Sequence, residues 1–123
     1  MNAELPTIGT PNPTIAEFSD AILTPGCGIR MSIQANSVNF TRPAEGGEYI
    51  PASKISWTTS SAVNGTGFSG TLSSSSFTPV FQGNADATSG SVAITWTLAA
   101  PGSNILAGTH TLTTTWKIES LAP

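Results

Sequence analysis

Residues 90–120 read GSVAITWTLAAPGSNILAGTHTLTTTWKIES, two stretches of apolar/polar alternation joined by a connector that contains Pro101 and Gly102. In the first, Val92, Ile94, Trp96 and Leu98 alternate with Ala93, Thr95 and Thr97. In the second, Leu112, Thr114, Trp116 and Ile118 alternate with Thr111, Thr113, Thr115 and Lys117. A repeat of two sends successive side chains to opposite faces of an extended chain, so each stretch predicts a half-buried β-strand that carries one Trp into a core.

The same pattern recurs upstream in shorter pieces. Ile29, Met31 and Ile33 alternate, as do Val38 and Phe40, and Ile55, Trp57 and Thr59. Tyr49 to Pro51 is a brief extended piece, and Pro51 bars it from the middle of a sheet. Asn64-Gly65 is a turn dipeptide, and two further extended pieces, 68–72 and 77–81, flank the serines at 73–76. Short strands at this spacing, without long helical patterns between them, predict an all-β fold: an Ig-like antiparallel β-sandwich of about seven or eight strands. Trp57, Trp96 and Trp116 share the apolar phase of their strands and are its expected core aromatics.

Composition agrees. The chain has 123 residues, enough for one domain with a real core. Charged residues are only 9%, whereas 34 positions are Ser or Thr, so hydroxyls make the surface polar in place of ions. Thr favours strands, and 12 Gly with 9 Pro supply turns. The net charge of −3 and the scatter of Arg30, Arg42, Lys54 and Lys117 argue against nucleic acid, whose phosphates need clustered cations. No apolar run reaches the length of a membrane-spanning helix, so no membrane insertion is expected. No basic, apolar leader follows Met1, which fits either a processed signal or assembly without secretion. Cys27 is the sole cysteine and excludes an intrachain disulfide; PGCG reads as a turn.

The N-terminal portion differs from the rest. Pro6, Gly9, Pro11 and Pro13 mark an extended arm. In TIAEFSDAILTPG, Thr14 and Glu17 have capping-box spacing, Ile15, Phe18 and Ile22 recur at helical intervals, and Pro25-Gly26 ends the run. This predicts a short helix over about 15–23 within an arm of residues 1–24, ahead of a sandwich domain of residues 25–123. The alternative is an extended arm that adds to a neighbouring subunit's sheet edge through Ile15, Phe18, Ile22 and Leu23.

No catalytic constellation emerges. One histidine, His110, lies at a strand start and reads as a half-exposed loop residue, and no serine sits in a G-x-S-x-G elbow. One His and one Cys cannot build a zinc site. Asn84 and Asp86 in GNADATSG offer oxygen ligands for calcium, or equally loop caps. Glu45 and Glu48 flank a Gly-Gly turn, where paired acids are usually just solvated. Asn39-Phe40-Thr41 and Asn64-Gly65-Thr66 match the glycosylation sequon, which matters only in a eukaryotic secretory setting. No catalytic residue, metal or cofactor is expected.

AGTHTLTTTWKIESLAP, residues 107–123, resembles the closing strand of bacterial surface β-sandwich modules, in which a small residue and Gly-Thr lead into a Thr-rich strand ending in an aromatic. Fimbrial subunits and WxL-type cell-wall-binding domains have strands of this style. Trp96-Thr97-Leu98 fits the W-x-L tripeptide; Trp116-Lys117-Ile118 departs from it by Ile in place of Leu. The likeness is confined to the chain from residue 90 onward. It implies an exported envelope protein, and in the WxL case non-covalent attachment to peptidoglycan.

The expected function is that of a non-enzymatic structural or adhesive subunit of a bacterial surface assembly, extracellular or at the cell surface. Its partners would be other copies of itself or other assembly subunits. A glycan- or peptidoglycan-binding module is the second reading, with cell-wall glycan as partner, and a virion tail or decoration protein the third.

Overall fold

The computed structural model describes residues 14–100, 102 and 104–123; the arm before residue 14 lies outside them. Eight strands follow in order: β1 (Thr14–Phe18), β2 (Gly28–Ala35), β3 (Ile55–Val63), β4 (Gly65–Gly67), β5 (Gly70–Thr71), β6 (Thr78–Gly83), β7 (Gly90–Leu98) and β8 (Thr114–Leu121), with a 3-10 turn at Ala52–Lys54 before β3. They form two four-stranded antiparallel sheets, β1-β7-β3-β5 and β4-β6-β2-β8. This is the all-β sandwich that the alternation predicts.

The central strands obey the pattern closely. Along β7, Val92, Ile94 and Trp96 are buried, and along β2 so are Ile29, Met31, Ile33 and Ala35. Ile55 and Trp57 of β3 join them. In β6 two consecutive residues, Val80 and Phe81, both point inward because the ladder shifts between Met31 and Ser32, and this bulge inserts Val80 between the partners of those two residues. Burial of each such Val, Ile, Met or Phe side chain contributes roughly 1.5–3 kcal/mol.

Of the strand expected over 68–72 only β5, Gly70–Thr71, forms, and β4 precedes it in the other sheet. β4 pairs with β6, whereas β5 pairs with β3, so the chain crosses the sandwich at Phe68 and Ser69. Gly65 permits the first contact: a Cβ there would collide with the Gln82 carbonyl oxygen and the Phe81 ring. Val38 and Phe40, expected to share a strand face, lie in a long connection. Phe40 is buried and its N–H donates to Ile50 O at 2.8 Å, while Val38 is exposed.

The helix expected over 15–23 is absent. Residues 14–18 form β1 instead, paired with β7 in the register Thr14–Ile94, Ala16–Val92 and Phe18–Gly90. Phe18 is buried where Gly83 and Gly90 leave room for its ring, 6.2 Å from that of Phe81. A five-residue ladder with a buried aromatic outweighs the weak helical preference of so short a segment. Residues 14–18 are thus a strand of the sandwich. Leu23 packs against the same core, whereas Ile15 and Ile22 are 58% and 100% exposed.

Candidate functional site: an open seam between two edge strands

β1 ends one sheet and β8 ends the other, at the same side of the sandwich. Between them runs a groove of about 380 Å³ lined by Thr14, Ala16 and Glu17 from β1, Met31 from β2, and Trp116 and Ile118 from β8. The register defines its character. Trp116 lies opposite Ile33 and Ile118 opposite Met31, so both side chains point to the inner face of their sheet. Yet Trp116 is 44% and Ile118 61% exposed, while Ile33 and Met31 are buried.

This corrects the placement of Trp116 among the core aromatics. Trp57 and Trp96 are buried as expected, packed edge-to-face at 5.8 Å as direct partners in the β3–β7 ladder. Their indole N–H groups donate to Phe68 O at 2.8 Å and Thr14 Oγ1 at 3.0 Å. Trp116 has the same local phase, but the opposite sheet ends in a strand whose inward side chains here are Thr14 and the small Ala16. Among the described residues nothing large covers Trp116 and Ile118. The expected second strand also begins late: Leu112 is buried, but regular pairing starts at Thr114.

On the outer face of β8, Lys117 and Glu119 are 3.6 Å apart, and Lys117 sits 4.7 Å from the centre of the Phe77 ring. β8 pairs with β2 alone among the described residues, leaving its other backbone edge open. The seam therefore offers an apolar inner face, a charged outer face and unpaired backbone groups, which together suit the addition of another strand.

A second concavity, about 570 Å³, lies in the loop around Arg42 and Tyr49. The Arg42 guanidinium stacks 4.0 Å from the centre of the Tyr49 ring and donates through one nitrogen to Gly46 O and Gly47 O, at 3.1 and 2.9 Å. Its cation is already committed to holding the loop. Glu45 lines this hollow and Glu48 is exposed, its backbone N–H donating to Asn104 O.

The remaining candidates have structural surroundings. His110 is buried, not half exposed, and its Nε2 donates to Leu106 O at 2.9 Å. Asp86 accepts the Gly26 N–H at 2.7 Å, and Asn84 donates its N–H to Asn64 O, so both brace turns. No group of three or more His, Cys, Asp or Glu that could hold a metal occurs among the described residues. Cys27 is buried beside the Pro25-Gly26 turn, its N–H bonded to Thr24 O. No helix among the described residues is long and apolar enough to cross a membrane.

Comparison with protein-family models, with curated proteins and with solved structures found no match to this chain.

Proposed function

We propose that this protein is a non-enzymatic structural or adhesive subunit of a bacterial surface assembly, associating with its partners through its sheet edges. One observation carries the reading: Trp116 and Ile118, on the inner face of an edge strand, are left uncovered at an open seam. An apolar, unpaired edge is a hazard in a lone domain and an asset in a subunit. The hydroxyl-rich, weakly charged surface and the Pro-rich residues before β1 support the same reading, as does the resemblance of the last strands to surface modules. A cell-surface or extracellular setting follows from that resemblance.

A glycan-binding role is the second reading, favoured by the half-exposed ring of Trp116, since sugars stack on accessible aromatic faces. Light scattering combined with electron microscopy of the full chain separates the two. Concentration-dependent oligomers or filaments are expected of a subunit; a chain that stays monomeric and binds cell-wall glycan through Trp116 would overturn the first reading in favour of the second.

A further inference from the structure

The charge pattern of β8 identifies a partner for the open edge. We infer that two copies of this chain pair through β8 in antiparallel fashion about a twofold axis centred on Ile118, joining their β4-β6-β2-β8 sheets into one continuous sheet. The inference rests on the assembly reading and specifies the partner and the register.

An antiparallel pairing centred on a residue keeps both inner faces on the same side of the joined sheet, because directly opposed side chains share a face. Three such centres in β8 (Thr114–Leu121) set charged residues against each other across the axis; a centre on Thr115, Trp116 or Ser120 opposes no two charges and gains no ion pair. Centred on Lys117, the strand opposes lysine to lysine; centred on Glu119, it opposes glutamate to glutamate. Centred on Ile118, it places Lys117 opposite Glu119 of the second copy, and the same pair recurs across the axis. Like charges directly opposed destabilise a ladder and opposite charges stabilise it. The Lys117–Glu119 contact already formed within one chain then becomes half of a four-charge cluster.

The inner face agrees with this choice. Ile118 meets Ile118 of the second copy, covering the most exposed apolar side chain of the strand. Trp116 opposes the small Ser120 and lies diagonally beside the second copy's Ile118, a separation that an aromatic ring spans. The lysine that discourages arbitrary pairing at an edge thus selects one register of self-pairing.

Sedimentation of the full chain over a range of concentrations tests this, with charge variants and a cross-link. The parent is expected to dimerise. Lys117→Glu and Glu119→Lys should each weaken the dimer about tenfold, since each converts two cross-strand attractions into repulsions. The double variant Lys117→Glu/Glu119→Lys should restore dimerisation to nearly the parental level. Ile118→Cys in a Cys27→Ala background should cross-link across the axis under mild oxidation and separate on reduction. Oligomers that ignore the charge variants and fail to cross-link would overturn this pairing while leaving the assembly reading intact. A chain that remains monomeric at every concentration would overturn this pairing, and one that also binds cell-wall glycan through Trp116 would overturn the assembly reading with it.

Discussion

Thr14, the first residue of β1, accepts a hydrogen bond at 3.0 Å from the indole N–H of Trp96, which lies on the strand beside it. The bond joins residues 82 positions apart and gives a buried Trp the polar partner it needs. It also ties the start of the described chain to the central ladder. Thr14→Val keeps the shape and removes the acceptor, so it should cost about 1 kcal/mol in denaturant unfolding, while Thr14→Ser should recover most of that loss.

The tryptophans should separate into two groups. Trp57→Ala and Trp96→Ala each empty a packed site and should cost about 3–5 kcal/mol, enough to threaten a marginally stable domain. Trp116→Ala removes a ring that is nearly half in solvent and should cost the isolated chain under about 1 kcal/mol. Urea titrations of the three variants check this; equal losses for all three would place Trp116 in the core after all.

Removing residues 1–24 should unfold the protein rather than release an intact sandwich. The deletion strips β1 from β7, takes Phe18 out of the core and leaves the Trp96 N–H without its acceptor. Circular dichroism and thermal melting of the truncated chain read this directly. A well-folded truncation product would show that β1 is dispensable.

Two glycines should respond oppositely to their local appearance. Gly46 has φ +89° but open space around it, so Gly46→Ala should cost only about 1 kcal/mol of backbone strain. Gly65→Ala meets the Gln82 carbonyl and the Phe81 ring, neither of which can retreat from a close-packed ladder. Its cost should exceed the roughly 1–3 kcal/mol of ordinary overpacking, as measured by the fall in melting temperature.

Asp86 should prove to be a turn brace. Its carboxylate oxygen holds the Gly26 N–H at 2.7 Å, so Asp86→Ala should lower stability by about 1–2 kcal/mol and Asp86→Asn by less, the amide oxygen still accepting. Calcium or a chelator should leave the melting temperature of the parent unchanged. A calcium-dependent rise would assign the GNADATSG loop to metal instead.

That residues 90–98 form a strand, and which of its side chains share a face, is legible in the amino-acid order alone. Two-residue alternation is a property of the extended backbone and needs no partner to be read. The same holds for the inward Ile29, Met31, Ile33, Ile55 and Trp57; the turn expected at Asn64-Gly65 is a bend at Asn64 alone, with Gly65 already in β4. Alternation also identifies correctly the face that Trp116 and Ile118 share.

Whether that face is covered depends on the order of strands in the folded sheets. Trp96 and Trp116 share the same inward phase in alternating stretches, but β7 lies between β1 and β3, whereas β8 ends its sheet opposite a strand with small side chains. Strand order is fixed by contacts among distant residues, and a local pattern carries no record of it. Residues 14–18 make the same point in reverse. Their helical spacing and capping-box pair are real local signals, yet a short helix is marginal alone, and pairing with β7 buries Phe18 against Gly83, Gly90 and Phe81. His110 likewise lies buried because the connection before β8 folds over it, donating from Nε2 to a carbonyl four residues earlier. The candidate site combines both levels: the face of Trp116 was legible in the chain, and its exposure arises from where two sheets end.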